Sequence, residues 1–246
     1  MKFIDFLLES NEQKEEVYKT KVNFDDMIEK IKKEYGKLPE LDEVFFRGMT
    51  GDYNAYILNA KARNRSSNDT SNHYTVIFDE YLKNKNLPLR SRSLICSTKA
   101  SRAREFNSNL FVIIPVNKNS IVGVVNKEDI WDYKLKNKDT LRYGINRIND
   151  TYSRLKISDN SFNDIVKGIE KNLTPPWDND HKQFLSKYFD TKTDIKDQLM
   201  DLYDLEKFGA TFETIKTAAK KENTEVWFSD KAYAINYEIY EQILKK

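Results

Sequence analysis

The stretch "RSLICSTKASRAREF", Arg92–Phe106, decides how this chain is read. "SLIC" has the apolar, β-branched character of a buried strand, and "TKASRAREF" has the spacing of a short helix. The corner between them carries two adjacent hydroxyls, Ser97 and Thr98, for which a buried strand has no need. Downstream, "NLFVIIPV" reads as a second strand that Pro115 closes at an edge or an end, and "IVGVV" as a third. Upstream, "EVFFRG" reads as a strand ending in glycine. Before it, "FDDMIEKIKKEY" places Met27, Ile28, Ile31 and Tyr35 on one helical face, with Asn23 as cap and Gly36 and Pro39 as the stop.

The rest of the chain extends this pattern. After the polar, basic loop "KARNRSSNDTSNH", the run "HYTVIFDEYLKN" suggests a helix that Asp69 or Thr70 would cap. His73 is expected on that helix's surface, and Cys96 as a small buried strand residue. From Lys127 to about Ala219 the pattern is mainly helical: "NKEDIWDYK", "LRYGINRIND", "FNDIVKGIEKN", "DHKQFLSKYF" and "IKDQLMDLYDLEKF", interrupted by "LTPPWDND". The strand-like runs "TEVWFSD" and "AYAINYE" and a charged helical turn close the chain. Strands in two groups separated by a long helical segment predict an α+β fold rather than alternating βαβ units.

Composition bounds the function. Charged residues make up 33% of the 246 and hydrophobic ones 39%, with 14 Tyr and 14 Phe, which is polar for a globular protein but too aromatic for a disordered one. The 41 basic and 39 acidic residues nearly cancel to +2, so no global charge drives the chain onto nucleic acid or membranes. Basic residues cluster locally at Arg63 to Arg65 and Arg90 to Arg104, which keeps nucleic-acid binding as a third reading. One cysteine excludes an intramolecular disulfide and a Cys-rich zinc site, and two histidines speak against a multi-histidine metal centre, so no metal is expected. With 7 glycines there is no glycine-rich phosphate loop, and any nucleotide would be held by side chains. No apolar run has the length of a membrane span.

Three fragments stand out in order: "FFRG" with Arg47, "LICST" with Ser97 and Thr98, and "NTEVWF" with Glu225. They resemble the arginine, Ser-Thr and glutamate elements of the Arg-Ser-Glu class of NAD-dependent ADP-ribosyltransferases. With "KARNRSSNDTSNHY", "RSRSLICSTKASRAREF", "LFVIIP" and "TEVWFSDKAYAI", the chain looks like a set of bacteriophage proteins related to that fold. The resemblance covers about residues 41–131 and 220–237. It implies a split β-sheet core with an N-terminal helix, and a single domain over 23–246 that carries a large helical insertion at about 127–219. It also implies NAD as substrate, with a host protein as acceptor.

The chemistry of such a site follows from general rules. Cleaving the nicotinamide–ribose bond builds positive charge on the ribose, so a fixed carboxylate beside that ring stabilises the transition state; Glu225 is assigned this role. Arg47, followed by Gly48, suits the pyrophosphate or the adjacent ribose through a bidentate fork. Ser97, with Thr98 beside it, would hydrogen-bond the carboxylate or the ribose. Arg63, Arg65 and Arg92 are secondary candidates for phosphate or acceptor contacts. Each element also has a local reading: Arg47 as a surface ion pair, Ser97-Thr98 as a helix cap, Glu225 as a solvated strand residue, and the arginines as a basic loop. Arginine-modifying members of the class carry a second glutamate where this chain has Asn223, an acceptor-orienting position. Glu222 is off register for that place, and Lys99 replaces the third element of the Ser-Thr motif. An NAD glycohydrolase, or a transferase for another acceptor, therefore stays open beside a catalytically inactive interaction protein.

The N-terminus "MKFIDFLLES" places Phe3, Phe6 and Leu7 on one face of a short amphipathic helix, and Asp5 and Glu9 exclude a secretory signal. With "SNEQKEEVYKTK" it forms a targeting-like peptide and linker over 1–22. Leu7, Leu8 and Glu9 resemble the capsid-targeting peptides of tailed bacteriophages, which a prohead protease removes, here between Glu9 and Ser10. The alternative is an ordinary N-terminal helix packed on the domain. The resemblance implies a location in the virion interior and then in the host cytoplasm, reached by injection with the DNA.

Overall fold

The computed structural model describes residues 18–62, 72–125, 141–176, 178–207 and 209–245. The expected N-terminal helix, cleavage after Glu9, the "NKEDIWDYK" helix, Arg63, Arg65 and the caps Asp69 and Thr70 lie outside the described residues. The chain divides into two compact units, one of residues 1–65, 92–129 and 210–246, the other of 66–91 and 130–209.

The first unit holds one open antiparallel sheet, which among the described residues has nine strands. They are β1 (Lys19–Lys21), β2 (Phe45–Gly48), β3 (Ala55–Asn59), β4 (Leu94–Ser97), β5 (Leu110–Pro115), β6 (Ile121–Val125), β7 (Ala210–Thr214), β8 (Glu225–Phe228) and β9 (Lys231–Asn236). Their order across the sheet is β1-β3-β9-β5-β2-β4-β8-β6-β7. Helices α1 (Phe24–Tyr35), α3 (Ala100–Arg104), α8 (Ile215–Ala219) and α9 (Tyr237–Leu244) belong to this unit.

Alternation along the strands sorts two cores. Phe45, Phe111, Ile113, Leu94, Cys96, Val226 and Phe228 line one face, together with Ile215 and Ala218 of α8. Phe46, Leu110, Val112, Ile114 and Ile235 line the other, against Met27, Ile28 and Ile31 of α1 and Tyr240 of α9. Helix α1 forms as its spacing predicts. Asn23 accepts from the Asp26 amide at 3.1 Å, the Gly36 amide closes onto Lys32 O at 2.8 Å, and Tyr35 donates to Pro115 O at 2.7 Å.

Three strands depart from the sequence reading. The linker expected up to residue 22 contributes edge strand β1, where Lys19 pairs with Leu58. The run "AYILN", not read as a strand, is β3 and bridges β1 to β9. The helical pattern expected to about residue 219 is broken at "ATFET", which is strand β7. There Ala210 and Phe212 face one side and Thr211 and Glu213 the other, a period of two that a helix cannot present.

The second unit comprises α2 (His73–Asn84), α4 (Leu141–Arg154), α5 (Phe162–Leu173), α6 (Asp180–Leu185) and α7 (Ile195–Leu202). Contrary to the surface position expected for it, His73 is only 4% exposed. Its Nε2 lies 3.0 Å from Ile157 O, its ring packs 4.9 Å from Tyr152, and burial holds it below the ordinary histidine range. Tyr81 donates to Asp204 at 3.0 Å, and Phe78 meets Tyr203 edge-on at 5.8 Å.

Gly48 fixes how α3 returns over the sheet. A Cβ on Gly48 would stand 2.3 Å from Ala103 O, 2.6 Å from Asn107 O and 2.7 Å from Asn107 N, all backbone atoms that cannot swing aside. Gly48→Ala is therefore expected to destabilise the fold by about 1–3 kcal/mol. Denaturant unfolding checks this, and an unchanged midpoint would contradict the packing.

Candidate functional site

The sheet is nearly divided at its centre. Strand β2 pairs with β5 along four residues, from Phe45↔Ile113 to Gly48↔Leu110, but meets β4 at the single pair Phe46↔Ser97. Beyond that bridge no ladder pair joins the two strands. The Arg47 guanidinium instead donates through Nη1 to Ile95 O of β4, in place of the missing ladder bond. Its Nε is buried without a hydrogen-bond partner, an arrangement that costs stability unless something else satisfies it.

Ser97 and Glu225 are brought together. They are directly opposed in the β4–β8 ladder, so their side chains share a face, with Cβ atoms roughly 4.5–5.5 Å apart. The row continues through Val125 of β6, which opposes Glu225, to Ala210 of β7. Phe46, Val125 and Ala210 in this row are buried, and Ser97 is 8% exposed. Glu225 is half-buried among them. The Ser97 hydroxyl accepts the Lys99 amide at 3.0 Å, which leaves its own proton to donate.

Arg47 does not share that face. By the alternation of β2 it lies on the side of Phe45 and Phe111, the face opposite Ser97 and Glu225. Only its tip, at Ile95 O, reaches the division between the strands. Gly48 is packed under Ala103 and Asn107. Arg92 is exposed and sits before the start of β4, at the end remote from Ser97.

Thr98 is not the helix cap its position suggests. Lys99 occupies the N-cap position of α3 and makes no side-chain cap bond. The Thr98 amide donates to Thr224 O at 3.1 Å, its Oγ1 accepts the Thr224 amide at 3.0 Å, and the two hydroxyls lie 3.2 Å apart. Asn223 precedes this pair with φ 52°, a left-handed conformation that asparagine tolerates better than glutamate does. Glu222 is exposed in the same turn.

Residues that the sequence reading did not single out hold this turn. Lys221 donates to Glu213 and to Thr211 of β7, and Thr211 donates to Glu213 at 2.6 Å. Burial pushes the Glu213 carboxyl up, but the bonds from Lys221 and Thr211 outweigh it and leave the group below its ordinary value. Only the recurrence of polar residues in "ATFET", a strand pattern, could have signalled this tie.

Arg90 is buried, and Arg102 is paired with Glu105. Among the described residues no group of three His, Cys, Asp or Glu side chains could hold a metal ion, and no helix is long and apolar enough to cross a membrane. No family model matches this chain, and no curated protein or solved structure matches it.

Two outcomes follow. Arg47→Met is expected to cost about 1–3 kcal/mol by leaving Ile95 O unpaired across the division. An unfolding midpoint equal to wild type would show that the brace contributes nothing. Because the Glu213 carboxyl is depressed in the folded state, its contribution is present above the ordinary value of 4.5 and is lost as pH falls through the lower folded value. The stability advantage of wild type over Glu213→Gln should therefore shrink as pH falls below 4.5. A difference that grows on acidification would contradict the assignment.

Proposed function

We propose that this chain is an NAD-dependent ADP-ribosyltransferase of the Arg-Ser-Glu kind, with Glu225 as the carboxylate that stabilises the reacting ribose. The observation that carries the reading is the direct opposition of Ser97 and Glu225 on one face, beside the single bridge at which the sheet divides. That division supports viewing the open antiparallel sheet as the split core of such enzymes.

In the proposed reaction the bond between ribose C1′ and the nicotinamide nitrogen breaks, and nicotinamide leaves with the electron pair. The ribose carries positive charge in the transition state, and the Glu225 carboxylate lowers its energy. A nucleophile of the acceptor protein then bonds to C1′ and loses a proton. Ser97 holds the carboxylate or a ribose hydroxyl through the proton it still has to donate. Arg47 braces the division through Ile95 O from the face opposite Glu225, so in this reading it shapes the gap and does not itself bind the phosphates. Thr98 is committed to Thr224, so its part in nucleotide binding is indirect.

A second reading, NAD glycohydrolase, is favoured by Asn223. Its left-handed backbone suits asparagine, and no carboxylate stands at the acceptor-orienting position. Water would then take the acceptor's place, giving ADP-ribose, nicotinamide and a proton.

Purified protein incubated with labelled NAD and a bacterial lysate tests both readings. The transferase predicts label on discrete proteins, lost by about 10²–10³-fold in Glu225→Gln; nicotinamide release without labelling establishes the glycohydrolase. Absence of both, with no NAD binding, would overturn the proposal in favour of an inactive interaction protein. The proposed capsid packaging predicts that virion-derived protein begins at Ser10, and a start at Met1 would contradict it.

A further inference from the structure

The chain turns out of β4 at Thr98 and into β8 at Thr224, and the two residues continue the ladder one step beyond Ser97↔Glu225. In a regular antiparallel hydrogen-bonded pair the two residues exchange two amide-to-carbonyl bonds. Here one is kept, from the Thr98 amide to Thr224 O at 3.1 Å. The Thr224 amide donates to the Thr98 side chain, Oγ1, at 3.0 Å, and the second hydroxyl stands 3.2 Å away. A side-chain hydroxyl thus receives the amide bond at the point where the main chain bends toward α3.

Thr224 is 4% exposed, so its amide has little access to water in the folded state. Valine has the shape of threonine but no oxygen to receive that amide, and alanine and glycine have none either. On the Thr224 side, Asn223 sets a left-handed backbone at the exit of the turn. Thr224 is the last fixed point before Glu225.

We infer that Thr98 and Thr224 form a clamp that positions Glu225, making both of them positioning residues for the proposed NAD chemistry, and this inference rests on that proposed function. Thr98 then acts through the strand rather than on the nucleotide. The clamp fixes where the carboxylate begins relative to Ser97, and small displacements of a reacting group have large effects on rate.

Thr98→Val, Thr98→Ser and Thr224→Val, compared with wild type, test the clamp by three readouts: nicotinamide release, hydrogen exchange at the Thr224 amide, and thermal unfolding to choose a temperature at which every variant is folded. Thr98→Val should lower kcat by about 10–100-fold with KM for NAD changed by less than about twofold. It should also speed exchange of the Thr224 amide by about tenfold or more. Thr98→Ser keeps the accepting oxygen and should restore both values to near wild type. Thr224→Val loses only the contact between hydroxyls, and its kcat should fall between those of wild type and Thr98→Val.

Faster exchange with unchanged kcat in Thr98→Val would overturn the positioning role. Unchanged exchange would overturn the clamp itself. A wild-type protein without NAD turnover would overturn the function and the positioning role together, while the exchange data would still show whether the clamp exists, so the two failures are distinguishable.

Discussion

A sheet is held by continuous ladders, and this one is interrupted where continuity would be expected. Strand β2 is fully paired to β5 on one side and touches β4 on the other at Phe46↔Ser97 alone. Two half-sheets therefore meet at one bridge, and the backbone groups beyond it need other partners. Arg47 supplies one through Ile95 O, and α3 closes over the corner only because Gly48 has no side chain. The aromatic-Arg-Gly fragment thus has a structural role before any chemistry is considered.

The same interruption accounts for the paired hydroxyls. Where β4 leaves the sheet, two backbone amides need acceptors that the ladder no longer provides, and Ser97 takes that of Lys99 while Thr98 takes that of Thr224. Ser97, which is opposed to Glu225 across the ladder, keeps a hydroxyl proton that it can still donate. Corner geometry and candidate chemistry therefore draw on the same two residues, and a hydroxyl pair at this place is informative only together with the carboxylate across the ladder.

The strands with strong apolar runs were legible: "FFRG", "LICS", "LFVIIP" and "EVWF" all form as their composition predicts, as does α1 from its 3.6-residue spacing. Strand β1 was not, because "KTK" has no apolar pattern and is extended only through the free edge that β3 offers it. Strand β7 was hidden by its position after five helical runs. Helix α2 is rich in β-branched and aromatic residues, but burial of Tyr74, Ile77, Phe78 and Leu82 overrides that propensity. The same burial takes His73 off the surface. At the site, the order of Arg47, Ser97 and Glu225 was legible, and their adjacency follows from the strand order. The opposite face of Arg47, the partnership of Thr98 with Thr224 and the tie from Lys221 to Glu213 depend on register, which spacing along the chain does not contain.

The central proposal is that NAD binds at the division of the sheet, with Glu225 at its margin. Titrating the labelled protein with NAD while following backbone amide resonances tests this most directly. The account predicts saturable shifts concentrated at Arg47, Gly48, Ser97 to Lys99 and Thr224 to Val226. Saturable shifts confined to residues away from β2, β4 and β8, or none at millimolar NAD, would contradict it.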